Sequence, residues 1–331
     1  MCCRECFRDA FLRDFIDRSS TTSGQCRICK SENVPLIDPP NLAPYFESLL
    51  DAYRARRDGQ HLWELWDEDW QLFADKAYAR ILIESILGDL SKATYVPRES
   101  DSAPTSDSWR KLREELQLEN RYFPKNAPDQ SLFGVLMANL ATEQVPADLF
   151  RARLMTEGRV YRLDEMGAPP MQFVVDGRAN PSGIRYLYLA DDPETAIAEV
   201  KPSKGALVAV AKFEVAKLGR KLRLIDLTNP RACISPFLLS NIADVRASMP
   251  FLESLGEELS VPTQPHRAMR DYLASQYLCE LVKVSGYDGV VYRSSVGAGK
   301  NFTFFDVDAC IAVGDVGVYE VVNVTVAARR R

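Results

Sequence analysis

Tyr186-Leu187-Tyr188-Leu189-Ala190-Asp191-Asp192-Pro193-Glu194-Thr195-Ala196-Ile197-Ala198-Glu199-Val200 changes character in its middle. Its first residues are apolar and aromatic, the composition of a short buried strand. Asp192 before Pro193, followed by Glu194 and Thr195, is a helix start. Ala196, Ile197 and Val200 give that helix an apolar side. Further short strands are expected over 159–163, 207–213, 222–227, 289–292, 302–305 and 318–326, with a longer helix over 267–284. Strands mixed irregularly with helices predict an α+β domain from residue 146 to 331.

Toward the N-terminus the pattern changes. Residues 36–145 read as all-helical. Leu42, Tyr45, Phe46, Leu49, Leu50 and Tyr53 form a helical stripe ending near Gly59. Trp63, Trp66 and Trp70 open a second apolar segment that stops at Gly88. The Ser-, Pro- and Asp-rich stretch 96–108 reads as an exposed loop. Two further helices are expected, over 109–118 and 130–140.

Residues 1–35 carry five of the eight cysteines. Cys3, Cys6, Cys26 and Cys29 form a C-x2-C-x19-C-x2-C pattern, with Phe7, Phe11, Leu12, Phe15 and Ile16 at helical spacing between the pairs and a loop at 19–24. Two such pairs can close a tetrahedral Zn²⁺ site, and four sulfurs leave no open position for catalysis. The expectation is a structural zinc, with Cys2 as an alternative to Cys3. No apolar run approaches the roughly 20 residues of a membrane helix, and the N-terminus has no signal-peptide pattern. A cytoplasmic, reducing location is therefore expected, where clustered cysteines are ligands rather than disulfides.

Composition narrows the chemistry. The chain has 331 residues, 46% hydrophobic and 26% charged, and a net charge of -5. That is ordinary globular composition, and the acidic balance argues against a broad nucleic-acid surface. Arg329-Arg330-Arg331 reads as a solvated tail. With only two histidines, His61 and His266, a His-rich metal site is excluded. His266 follows Pro262-x-x-Pro265 and reads as a loop residue, with a catalytic role the lesser reading.

Within the α+β half, polar residues recur among apolar ones. Glu199 closes its helix at the end where the macrodipole disfavours a carboxylate, and a residue that breaks a local rule marks a functional position. In order come Tyr161-Arg162, Gly177-Arg178-Ala179-Asn180-Pro181, Tyr186 to Ala190, Pro193-Glu194-Thr195-Ala196-x-x-Glu199, and Gly286-Tyr287-Asp288-Gly289-x-x-Tyr292-x-Ser294-Ser295, then Asn301 and Phe305. Tyr272-x-x-x-Gln276-Tyr277 precedes the serine motif. The glycines of Gly297-Ala298-Gly299-Lys300 are expected to let the backbone approach a ligand. No Ser-His-Asp logic, dinucleotide fingerprint or phosphate loop is visible.

This series resembles the RES family, named for its arginine, glutamate and serine, over residues 155–310. The resemblance implies an ADP-ribosyltransferase-like mixed β-sheet, NAD⁺ as substrate, and cleavage of the bond between nicotinamide and ribose. Arg162 and Arg178 would then fork onto the diphosphate, and Tyr161 or Tyr188 would stack on nicotinamide. Glu199 would stabilise the oxocarbenium-like ribose. Ser294 would orient substrate, with Asn180, Ser295 and Asn301 near it.

Water as acceptor makes a glycohydrolase, phosphate a phosphorylase, and a macromolecule a transferase. A catalytically silent interaction protein is the remaining reading. The resemblance also implies a toxin of a toxin–antitoxin or defence system, with an antitoxin or regulatory partner; a homo-oligomer is a further possible partner arrangement. The first 145 residues resemble the zinc-bearing, HEPN-like helical module that precedes some RES domains. Arg56 and His61 match the Arg-x4-His pattern of HEPN ribonucleases, against the plainer reading of a charged helix end and a structural module.

Overall fold

The computed structural model describes residues 1–100, 103–156, 159–217, 219–261 and 268–324. His266, the three terminal arginines and the outer ends of the expected 267–284 helix and 318–326 strand lie outside the described residues. The strands are β1 (Cys2–Cys3), β2 (Thr22–Gly24), β3 (Val34–Ile37), β4 (Tyr53–His61), β5 (Thr94–Pro97), β6 (Ala141–Thr142), β7 (Leu149–Leu154), β8 (Leu187–Ala190), β9 (Leu207–Val215), β10 (Leu224–Asp226), β11 (Gly289–Arg293), β12 (Lys300–Phe304) and β13 (Cys310–Glu320). The helices are α1 (Ala10–Ser19), α2 (Ala43–Ser48), α3 (Leu62–Trp70), α4 (Lys76–Leu87), α5 (Ser106–Leu118), α6 (Gln130–Leu140), α7 (Pro193–Glu199), α8 (Pro230–Cys233), α9 (Ile242–Ala247), α10 (Met249–Ser260), α11 (Ala268–Asp271) and α12 (Leu273–Val284). Short 3-10 turns connect several of them. No described helix is long and apolar enough to cross a membrane.

The chain packs as two units. The first joins Met1–Asp107 to Asn229–Leu252, and the second joins Ser108–Thr228 to the residues from Glu253 onward. In the first unit β1, β3 and β2 form a small antiparallel sheet beside α1. Asp9 caps α1 by accepting from the Leu12 amide at 2.9 Å. Phe7 and Phe46 are fully buried, and Phe7 lies 6.3 Å from both Phe46 and Phe73. The segment 229–252 adds Phe237, whose ring is 5.9 Å from Phe11 and 5.2 Å from Phe46.

Residues 36–145 are not all-helical. The stripe from Leu42 stops at Ala52, and Tyr53–His61 pairs antiparallel with Thr94–Pro97. The physical reason is local. After Tyr53, Arg54-Ala55-Arg56-Arg57-Asp58 offers no apolar side to bury, so a helix there has no face to dock. The extended backbone instead pairs with β5. A Cβ on Gly59 would sit 2.2 Å from the Tyr95 carbonyl oxygen, so close strand approach requires glycine. Part of the expected 19–24 loop is also strand, as β2.

In the second unit an eight-stranded sheet runs in the order β13-β9-β7-β8-β12-β11-β10-β6. Only β10 and β11 pair in parallel. The sheet is therefore mixed, as expected of an α+β domain. One core cluster holds Leu149, Leu187, Leu189, Phe213, Phe302 and Phe304. Each such burial contributes roughly 1.5–3 kcal/mol. A second cluster is built from small residues, Ala152, Ala190 and Ala196 with Val208 and Val210. Small side chains there let α7 lie close to the strands, which sets where Glu199 falls.

Two departures matter for the site. The expected strand over 159–163 is not one; Leu163–Glu165 is a 3-10 turn. The strand lies ten residues earlier, as β7. Moreover β7 and β8 share a single pair, Phe150 with Ala190, and then part, while β7 continues along β9.

Candidate active site and metal cluster

A cavity of about 290 Å³ opens where β7 and β8 part. Arg151, Tyr188, Glu199, Tyr292 and Asn301 line it, with Phe150, Ala190 and Ala196 as apolar wall. Its size is near the lower end of small-ligand pockets, roughly 300–1,000 Å³.

Glu199 reaches it from the last residue of α7. The helix begins as expected: Asp192 accepts from the Thr195 amide at 2.6 Å, and Pro193 follows. The misfit with the helix dipole is offset by two donors. Ser294 Oγ donates to Glu199 Oε1 at 2.7 Å, and Asn301 Nδ2 donates to the same oxygen at 2.5 Å. Ser294 Oγ also accepts from the Gly297 amide at 2.8 Å and the Val296 amide at 3.2 Å. Thus a hydroxyl polarised by two backbone N–H groups holds one carboxylate oxygen. Oε2 has no such bond among the described residues.

The glycines after Ser294 serve protein rather than ligand. A Cβ on Gly299 would lie 2.2 Å from Asp191 Oδ1 and 2.3 Å from Asp192 Oδ2. The Gly299 amide donates to Thr195 Oγ1 at 3.0 Å. The glycines therefore press the serine loop onto the first turn of α7.

Tyr188 lines the cavity with its ring, but its hydroxyl is committed elsewhere. It accepts from the Ala179 and Asn180 amides at 3.0 and 3.2 Å and donates to Asn180 Oδ1 at 2.7 Å. Burial first, then the neighbouring Tyr292, pushes its pKa well above the ordinary tyrosine value. Asn180 is buried and spends Nδ2 on the Val175 and Pro181 carbonyls, both at 3.1 Å. It shapes the loop and does not line the cavity. Arg178 rides on that loop; its Nη1 donates to the Val261 carbonyl at 2.6 Å and its guanidinium lies 6.0 Å from the Tyr272 ring centre. Ser295 is half-buried next to Ser294 and is not a cavity residue.

Arg162 and Tyr161 are not brought to this cavity. Arg162 is 78% exposed and pairs with Asp164 at 2.9 Å. Tyr161 packs against the core cluster with Arg153 and Arg159 each 5.7 Å from its ring, and its hydroxyl donates to the Leu154 carbonyl at 3.2 Å.

The arginine that does line the cavity is Arg151, on β7. Its Nη1 is buried with no hydrogen-bond partner among the described residues. Burial, then the positive charge of Arg153, lowers its pKa to about 10, so it stays charged at neutral pH. A desolvated guanidinium with an open donor is a strong anion site. Its signal in the sequence is Leu149-Phe150-Arg151-Ala152, an arginine set among apolar residues.

In the first unit, the Sγ atoms of Cys3, Cys6, Cys26 and Cys29 all lie within 4.8 Å of one another. The closest separations are 3.4 Å for Cys3–Cys29 and 3.5 Å for Cys6–Cys26. Ligands at about 2.3 Å on a tetrahedral ion stand about 3.8 Å apart, so the four donors fit a metal. Cys2 is buried but stands outside this cluster. Arg56 pairs with Asp58 at 2.6 Å, and the His61 ring stacks on Trp63 at 4.0 Å. Both lie on β4 rather than on a helix.

No curated protein matches the chain. A solved structure of the MbcT–MbcA toxin–antitoxin complex from M. tuberculosis is similar at 14% identity, with a TM-score of 0.32, covering 59% of this chain and 93% of that one. The family model for the RES domain matches residues 153–321, more than half of the chain. Glu199, Tyr188 and Tyr292 of the cavity, and the Ser294 that holds Glu199, all lie within the matched residues, and the chain belongs to the RES-domain family.

Proposed function

We propose that the second unit consumes NAD⁺ by breaking the nicotinamide–ribose bond. One observation carries this reading: a clamped carboxylate, Glu199, and an arginine, Arg151, whose buried Nη1 has no partner among the described residues, line one cavity. Loss of nicotinamide builds positive charge on the ribose. A carboxylate fixed in advance stabilises that charge without reorganising. Arg151 binds a phosphate oxygen of the dinucleotide, and Arg178 assists from its loop. The Tyr188 and Tyr292 rings flank the flat nicotinamide. Ser294 and Asn301 act through Glu199, which they orient.

Within this reading water, phosphate or a macromolecule takes the ADP-ribose, and the three differ only after the shared first step. The biological role is that of a toxin restrained by an antitoxin. The four cysteines hold a structural Zn²⁺ that stabilises the first unit.

The deciding experiment is product analysis of NAD⁺ with and without inorganic phosphate. Nicotinamide with ADP-ribose identifies a glycohydrolase, and nicotinamide with ADP-ribose-1″-phosphate a phosphorylase. Labelled macromolecule would establish the transferase, and intact NAD⁺ under all conditions would remove the enzymatic reading.

A second measurement tests the arginine assignment. Charge-assisted hydrogen bonds are worth about 1.5–3 kcal/mol. Arg151→Ala should therefore raise KM for NAD⁺ by roughly tenfold or more. Arg162→Ala should stay within about twofold, since a surface pair contributes little. The reverse order would restore Arg162 to the site.

A further inference from the structure

Four residues, Gly177 to Asn180, carry Arg178, and their backbone is held from two sides. On the strand side, Tyr188 Oη takes the Ala179 and Asn180 amides. On the other side stands the first turn of α12. Gln276 Nε2 donates to the Gly177 carbonyl and to the Asn180 carbonyl, both at 3.0 Å. Ser275 Oγ donates to the Arg178 carbonyl at 2.5 Å. Tyr272 places its ring beneath the Arg178 guanidinium. Tyr272, Ser275 and Gln276 are spaced i, i+3 and i+4, so one helix face meets the loop. Ser275 and Gln276 are buried, at 1% and 7% exposure.

We infer that Gln276, with Ser275, is a positioning residue for the NAD⁺ site: it sets the loop that aims Arg178. This rests on the reading of Arg178 as a substrate residue. The chemistry requires an amide rather than any polar group. Two carbonyl oxygens converge on one nitrogen, and only a group with two N–H donors satisfies both. A glutamate of the same shape would set an oxygen against both carbonyls, leaving two buried acceptors opposed by a third. Glycine at 177 belongs to the same device, since a Cβ there would lie 2.3 Å from Asn180 Oδ1 and 2.9 Å from Tyr188 Oη.

The test uses the full chain with Gln276→Glu and Ser275→Ala, each checked for folding by thermal melting. Gln276→Glu should raise KM for NAD⁺ by roughly tenfold or more while kcat stays within about twofold, the pattern of lost ground-state binding. Ser275→Ala should move KM in the same direction by a smaller factor and serves if Gln276→Glu does not fold. A merely structural role would lower kcat with the folded fraction and leave KM alone. Hydrogen exchange of the peptide 174–186 should quicken by about tenfold in both variants. Wild-type KM and wild-type exchange in a folded variant overturn the inference. If the unmodified protein leaves NAD⁺ intact, the functional reading fails, and the exchange measurement still decides whether Gln276 holds the loop.

Discussion

Glu199→Gln is expected to leave the protein folded and to cut nicotinamide release by roughly 10²–10³-fold, about 2.7–4 kcal/mol of lost transition-state stabilisation. The substitution is unusually clean here. Ser294 Oγ and Asn301 Nδ2 both donate to the same oxygen, Oε1. A glutamine carbonyl placed there accepts both bonds, so the clamp survives and only the negative charge is lost. Melting temperature should therefore change little while turnover collapses. If the charge acts on the transition state alone, kcat falls and KM holds. Wild-type turnover in the folded variant would remove Glu199 from the chemistry. Asn301→Ala provides a graded companion, because it keeps the charge and loosens its aim.

The second large effect concerns the cysteines. Stripping metal from the purified protein, or changing Cys6→Ser, should lower the melting temperature of the first unit by at least about 10 °C. The basis is magnitude: structural zinc contributes on the order of 10 kcal/mol or more to small metal-bound folds, and about 1 kcal/mol shifts a domain's midpoint by several degrees. Cys3, Cys6 and Cys26 are fully buried, so without an ion weak thiol hydrogen bonds stand in place of metal–thiolate bonds. The consequence extends beyond the cysteine segment. The Ala74 amide donates to the Cys6 carbonyl at 3.0 Å and the Arg8 amide to the Leu72 carbonyl at 2.8 Å. Phe7, between them in sequence, fills the core beside Phe46 and Phe73. Elemental analysis should find about one zinc per chain. Zinc retained after all four cysteines are replaced would refute the site.

How much of the site was legible depends on the range of the interactions involved. Glu199 was readable because its signal is local: Asp192 and Pro193 start a helix, and a carboxylate six residues after Pro193 ends it against the dipole. The cysteine cluster was readable because two C-x2-C pairs can bring four sulfurs together at one point. Ser294 and Asn301 stood in recognisable order, though their shared partner oxygen was not deducible. Arg162 and Tyr161 stand outside the cavity, on a stretch that is not a strand. The apolar residues of 159–163 suggested extended chain, while the arginines of Leu149-Phe150-Arg151-Ala152-Arg153-Leu154 disguised the true one. Strand propensity is too weak to settle such a choice. Pairing to β9 along the whole of β7 decides it.

The all-helical expectation for 36–145 failed for a related reason. The helical stripe from Leu42 does not extend past Tyr53, where the residues have no apolar side and backbone pairing with Thr94–Pro97 prevails. Residues 229–252 joined the first unit through Phe237, whose aromatic partners lie more than 190 residues earlier.

By itself the sequence determined the α+β class of the second half, the capped helix that ends in Glu199, the clustering of the four cysteines and the order of the family's motifs. These depend on periodicity, capping and spacing, which act over a few residues. Tertiary structure alone decided that β7 and β8 part after one pair, that Arg151 rather than Arg162 enters the opening, and that α12 holds the Arg178 loop. Those outcomes turn on sheet register and on burial against distant strands, and both are energies of the folded chain rather than of any segment within it.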